Sequence, residues 1–158
     1  MKNRYGIDIW SDDNFFIEDG VVKVNYKPYP SLIKIVKDVR KQGFKGPLLL
    51  RFPHITKKQV KTLFNTFNAS IKEYDYKGKF NAVFPLKVNQ LPNFIHPLVA
   101  AGKKYNYGLE AGSKAELVIA MTYNNMGSPI TINGFKDKEM IHLCFIAKSM
   151  GHDITVII

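Results

Sequence analysis

The sequence predicts an α/β fold: about five parallel strands, either the first part of a TIM-type (β/α)8 barrel or a doubly wound sheet, preceded by a short β-hairpin arm and a helix. Three observations predict it. From Leu48 onward, short apolar runs alternate with stretches whose apolar residues recur at helical spacing. The runs are of the buried, near-continuous apolar kind that parallel sheets use. Polar residues and helix-starting residues follow each run, so each strand passes into a helix and not into a hairpin.

The segment Tyr5 to Tyr26 alternates aromatic or aliphatic residues with acids and carries an Asp19-Gly20 turn signal, so Phe15-Phe16-Ile17 and Val21-Val22-Lys23-Val24 are expected to be the arms of a hairpin. Ser31 is placed to cap a helix with Leu32, Ile35, Val36 and Val39 on one face and Gly43 at its end. Leu48 to Phe52 is expected to be the first barrel strand, with a helix opening at Thr56-x-x-Gln59 and turning Val60, Phe64, Phe67 and Ile71 inward.

Asn81 to Leu86 reads as the second strand, followed by a helix around Phe94, Ile95, Leu98 and Val99 in which Pro97 implies a late start or a kink. Tyr107 to Glu110 is the third strand, with a helix after Ser113. Pro129 to Ile132 is the fourth, with a helix carrying Met140, Leu143, Cys144, Ala147 and Met150. Asp153 to Ile158 is the fifth.

A complete barrel takes about 250 residues. A chain of 158 residues is therefore expected to hold only part of one and to be a piece of a longer enzyme. An apolar last strand without a following helix would otherwise leave a bare sheet edge.

Composition narrows the function classes. With 46% hydrophobic and 23% charged residues, the chain is that of an ordinary globular domain. No apolar run approaches the ~18 residues of a membrane span, and residues 1–10 lack a signal-peptide core, so a cytoplasmic location and no membrane partner are expected. Cys144 is the single cysteine. It permits no internal disulfide, and no Cys/His set has zinc spacing, so no metal ligands are assigned. Its place on an apolar helix face makes it a small core residue. The net charge of +10 comes almost wholly from dispersed lysines, with arginine only at positions 4, 40 and 51. That is the pattern of solvated helix faces, and no nucleic-acid partner is expected.

Two residues carry the candidate chemistry. Lys87 follows the apolar strand and precedes the polar Asn89-Gln90 turn, so it stands at the carboxyl end of a parallel strand, where α/β sheets present residues to ligands. A lysine amine condenses with an aldehyde when part of it is unprotonated, a state that the apolar neighbours Phe84, Leu86 and Val88 are expected to favour by burial. Taken alone, a strand-end lysine reads more often as a cation that reaches solvent.

Glu110, at the end of the adjacent strand, is placed to hold or move a proton beside that amine. Glu116 is accounted for by the capping box Ser113-x-x-Glu116. His54 ends the first strand run, and Asn133-Gly134 ends the fourth; each could line the same mouth or serve structure alone. Gly108, Gly112 and Gly127 do not make a dinucleotide signature.

The stretches Phe84-Pro85-Leu86-Lys87-Val88-Asn89-Gln90, Gly108-Leu109-Glu110-Ala111-Gly112-Ser113-Lys114-Ala115-Glu116-Leu117 and Asn133-Gly134-Phe135-Lys136-Asp137 resemble the biosynthetic arginine decarboxylases, pyridoxal-phosphate enzymes of the alanine-racemase-like barrel type. The opening Tyr5-Gly6-Ile7-Asp8-Ile9-Trp10 and its hairpin are similar to that family's N-terminal arm. The likeness covers nearly the whole chain.

The resemblance implies that Lys87 binds pyridoxal 5'-phosphate covalently and is catalytic, with Glu110 a catalytic acid beside it. It also implies L-arginine as substrate, agmatine and carbon dioxide as products, and a place in polyamine biosynthesis. Magnesium use and a homo-oligomer with sites at subunit interfaces follow from the same likeness. Residues 1–30 become the arm of a β-domain completed by later sequence, and residues 31–158 the start of the cofactor-binding barrel. The phosphate loop and the partner of the pyridine nitrogen are expected beyond Ile158, so the 158-residue chain alone is expected to be inactive. Open alternatives are a cofactor-binding barrel without turnover, or a decarboxylase for ornithine, lysine or diaminopimelate.

Overall fold

The computed structural model describes residues 4–158. The chain divides between His54 and Ile55 into two units.

In the first unit a 3-10 turn at Arg4–Gly6 leads into the short helix α1 (Ile7–Trp10). Asp19 and Gly20 both take positive φ, 52° and 75°, as a tight two-residue hairpin turn requires. Strands β1 (Phe15–Glu18) and β2 (Val21–Val24) therefore pair antiparallel, with Phe15 opposite Val24 and Glu18 opposite Val21. Ile7 and Val24 are its buried apolar side chains. Asn14 satisfies its own burial by donating from Nδ2 to the Ser11 carbonyl at 2.9 Å. Helix α2 (Leu32–Lys41) starts where expected, the Ser31 hydroxyl accepting from the Lys34 amide at 3.2 Å.

The expected strand Leu48–Phe52 does not form. A strand exists through a neighbour's hydrogen bonds and not through its own apolar content. Here Pro47 and Pro53 bound the run, and Leu49 is 78% exposed. Helix α3 (Pro53–Glu73) begins at once, earlier than the predicted Thr56 start, with Pro53 at a first-turn position that has no use for an amide. The parallel sheet accordingly has four strands instead of about five.

The second unit contains that sheet. Its strands, β3 (Val83–Pro85), β4 (Gly108–Ala111), β5 (Pro129–Ile132) and β6 (Asp153–Val156), lie in sequence order and all parallel. Between them run α4 (Pro92–Gly102), α5 (Lys114–Tyr123) and α6 (Lys138–Ser149). Pro92, in the first turn of α4, starts that helix, and Pro97 is accommodated inside it.

One face of the sheet packs on the helices. Leu109, Ala111, Ile130 and Ile132 join Leu86, Ile95, Leu98, Leu117, Ala120, Met140 and Cys144 in a single cluster. Val60 and Phe64 of α3 belong to it, while Phe67 is 45% exposed and lies flat on Phe80 at 3.8 Å between ring centres. The other face carries Val83, Glu110, Thr131 and Thr155 and bounds an open groove. Helices collected on one face, with strands in consecutive order, are the construction of a barrel wall and not of a doubly wound sheet.

Candidate active site

The carboxyl ends of the strands define the site. The ladder continues past the last residue of β3, with the Leu86 amide donating to the Glu110 carbonyl at 3.0 Å. Leu86 is fully buried among the helices. The chain then turns, the Val88 amide donating to the Pro85 carbonyl at 3.0 Å, and Lys87 stands exposed in that turn. The apolar enclosure expected around its amine is not formed by the expected neighbours, since Phe84 packs on Phe94 against the helical cluster. Leu86 faces the core, and Val88 is itself 69% exposed.

Glu110 is half-buried on the open face. It registers with Pro85 on one side and Thr131 on the other, and Thr131 registers with Thr155. Glu110, Thr131 and Thr155, with Asn81, Val83, Asn106, Pro129 and Asp153, line a groove of about 400 Å³ that extends toward the amino ends of the strands, and Lys87 is not among its lining residues. Glu110 and Lys87 therefore sit on adjacent strand ends and are joined through the backbone, while their side chains form no ion pair among the described residues. The threonines were not singled out in the sequence. The alternation within Pro129–Ile132, with Ile130 and Ile132 buried and Thr131 between them, is the signal that identifies that position.

Glu116 does more than cap a helix. Ser113 Oγ accepts from the Glu116 amide at 3.2 Å, as a capping box requires. The Glu116 carboxylate, however, does not return to the Ser113 amide. Its Oε2 accepts from the Gly112 amide at 2.6 Å, and its Oε1 accepts from Gln90 Nε2 at 3.0 Å. Gln90 ends the turn that carries Lys87. A contact between residues 26 apart has no local sequence signal.

The loops after β4 and β5 touch through their backbones. A Cβ on Gly134 would lie 2.0 Å from the Gly112 carbonyl oxygen, so only glycine fits there. Lys114 adds a second link, reaching Asp137 at 3.0 Å and also pairing with Glu139. Asn133 continues the ladder into Ala111, so Asn133-Gly134 sits on the rim beside the Glu110 strand.

His54 belongs to an aromatic group, stacked on Tyr26 at 4.5 Å and edge-on to Phe52 at 6.1 Å. Its Nε2 is buried without a hydrogen-bond partner among the described residues, and burial pushes its pKa down. Cys144 is 5% exposed in the core, and burial pushes its thiol up, which suits packing and not nucleophilic attack. Among the described residues no group of three His, Cys, Asp or Glu side chains could hold a metal ion, and no helix is long and apolar enough to cross a membrane.

No family model matches the chain. It is 36% identical over 162 residues to the biosynthetic arginine decarboxylase of Prochlorococcus marinus strain MIT 9515, an alignment covering 99% of this chain and 25% of that protein. To the biosynthetic arginine decarboxylase of Gloeobacter violaceus it is 38% identical over 160 residues, covering 98% of this chain and 25% of that protein. A crystal structure of the biosynthetic arginine decarboxylase of Campylobacter jejuni superimposes with a TM-score of 0.93 at 60% identity, over 98% of this chain and 26% of that one. The chain thus spans about a quarter of the length of the curated relatives it matches. In sequence and in backbone, the chain is similar to the N-terminal portion of the biosynthetic arginine decarboxylases.

Proposed function

We propose that this chain supplies the lysine-bearing part of an enzyme that decarboxylates L-arginine to agmatine and carbon dioxide, feeding polyamine synthesis. The observation that carries the reading is Lys87, a primary amine exposed at the carboxyl end of a parallel strand, with Glu110 at the end of the next. That donor set fits pyridoxal 5'-phosphate, whose aldehyde needs an amine and whose bound nitrogen needs a neighbouring acid. When bound, the cofactor's ring withdraws the electrons left on the α-carbon as carbon dioxide departs.

Lys87 would hold the cofactor covalently, and Glu110 would hold or move a proton beside the Lys87 nitrogen. In this proposal residues 1–30 are the N-terminal β arm and residues 31–158 the beginning of the barrel, in a cytoplasmic homo-oligomer. Magnesium, which the resemblance implies, has no residue assigned to it here. Since Lys87 stands exposed among the described residues, its enclosure falls to other parts of the assembled enzyme, and the 158-residue chain by itself is expected not to turn over.

The test is product analysis by mass spectrometry of the full-length protein incubated separately with arginine, ornithine, lysine and diaminopimelate. Agmatine from arginine, lost together with cofactor binding in Lys87→Ala, is the expected result. A full-length protein that makes no agmatine, or a Lys87→Ala variant that retains bound cofactor and turnover, overturns the reading.

A further inference from the structure

The turn that carries Lys87 is held at both ends by the next βα unit. At its near end the Leu86 amide donates to the Glu110 carbonyl. At its far end Gln90 Nε2 donates to Glu116 Oε1, while the other oxygen of the same carboxylate accepts from the Gly112 amide. Between the tethers the turn has its own bonds, from the Val88 amide to the Pro85 carbonyl and from the Leu91 amide to Asn89 Oδ1 at 3.0 Å. The bend is therefore shaped locally, but its position against β4 is set by contacts at residues 86 and 90.

We propose that Glu116 is a positioning residue, a carboxylate clamp that fixes the Lys87 turn against the Glu110 strand without itself touching substrate or cofactor. A carboxylate suits the task because its two oxygens accept from two separate donors at once, and charge-assisted hydrogen bonds are the stronger kind. Its place in the first turn of α5 favours the negative charge through the helix dipole. Capping alone does not account for the arrangement. The Ser113 hydroxyl already engages the Glu116 amide, and the carboxylate is spent on Gly112 and on a side chain from the preceding unit. The inference rests on the proposed role of Lys87 and adds to it the residue that aims the amine.

The test uses the full-length protein and the variants Glu116→Ala, Glu116→Gln, Gln90→Ala and the Gln90→Ala/Glu116→Ala double. Two measurements are made on each. One is amide hydrogen exchange over residues 86–91 in the absence of any cofactor. The other is the rate at which Lys87 is labelled by pyridoxal phosphate and trapped with borohydride, read as a mass increment on that residue.

Glu116→Ala removes both bonds of the carboxylate and is expected to speed exchange over 86–91 and to slow Lys87 labelling by about tenfold, the effect of losing the charge-assisted hydrogen bond that tethers Gln90. Gln90→Ala, an exposed substitution that leaves the Ser113 cap intact, is expected to move both readouts the same way. The double variant should be no worse than Glu116→Ala, because both act through one contact. Glu116→Gln, whose amide oxygen still accepts from Gly112, should recover part of each loss.

Unchanged exchange over 86–91 in both Glu116→Ala and Gln90→Ala overturns the clamp. Additive effects in the double variant overturn it as well. Failure of Lys87 to take up label in the wild-type protein overturns the cofactor reading and the positioning role built on it. The exchange measurement stands apart from that outcome, so the two failures are distinguishable.

Discussion

The Leu86 amide donates to the Glu110 carbonyl at 3.0 Å, one rung beyond the last residue of β3. That bond fixes the stagger between the two strand ends, so the backbone under Lys87 and the backbone of Glu110 move together. Glu110 then projects to the open face beside Thr131, where a carboxylate can act on a nitrogen presented by the neighbouring strand end. Glu110→Gln keeps the shape and removes the carboxylate that the proposed function makes the proton carrier. In the full-length enzyme it is expected to lower kcat roughly 100-fold, within the range for a lost acid or base, with cofactor binding retained. Steady-state rates beside the absorbance of bound cofactor check this, and wild-type turnover in the variant would exclude Glu110 from the chemistry.

Gly134 tests the contact between the loops after β4 and β5. Its absent side chain leaves room for the Gly112 carbonyl, which a Cβ would approach to 2.0 Å. Neither partner is a flexible side chain, so Gly134→Ala must displace backbone. The expected cost is about 1–3 kcal/mol, the range for overpacking. Urea denaturation monitored by circular dichroism measures it, and an unchanged midpoint would mean that these loops part freely.

Local chemistry was legible where it is decided locally. The positive-φ Asp19-Gly20 pair, the capping hydroxyls of Ser31 and Ser113, and the glycine following α2 each act within a few residues, and each was readable. Leu48–Phe52 was misread because its apolar composition matches a strand, while strand formation depends on partners that composition does not encode.

The same distinction divides the site. The position of Lys87 at a strand end follows from periodicity, but its exposure depends on what encloses it, and an apolar neighbour such as Leu86 can turn into the core instead. Glu116 shows the limit most clearly. Three residues after Ser113 it satisfies a local motif, and only the folded chain brings Gln90 to it.

Cys144 provides a test of the core that is independent of the site. It lies in the cluster with Met140 and Leu117, and desolvation raises its thiol pKa. The thiolate is the species that reacts. Labelling by a disulfide reagent near neutral pH is therefore expected to be slow in the folded chain, becoming complete at one thiol per chain in denaturant. Fast stoichiometric labelling of the native chain would show that α6 does not seal the sheet.

The Lys114–Asp137 contact predicts how stability depends on pH. The Met140 amide, and then the Lys114 ammonium, hold the Asp137 carboxyl below its usual 3.8. A depressed folded pKa stabilises the fold above the unfolded value, and that contribution is lost as pH falls through the folded value. Lys114 is shifted the other way, above its usual 10.5, first by its hydrogen bond to Glu139 and then by Asp137. Its contribution is complete below the unfolded value and disappears as pH rises through the folded one. Stability from this cluster is thus flat across neutral pH and declines at both extremes.

Asp137→Asn retains an oxygen to accept from the Met140 amide at the helix cap, so it isolates the charge. It is expected to flatten the decline below about pH 5 while leaving the cap in place. Lys114→Met should flatten the alkaline decline instead. Both groups are solvent-exposed, so the differences should shrink as salt is added. Urea midpoints across pH at low and high salt measure all three effects. An acid-side slope identical in wild type and Asp137→Asn would show that the carboxylate gains nothing from its partners in the folded chain.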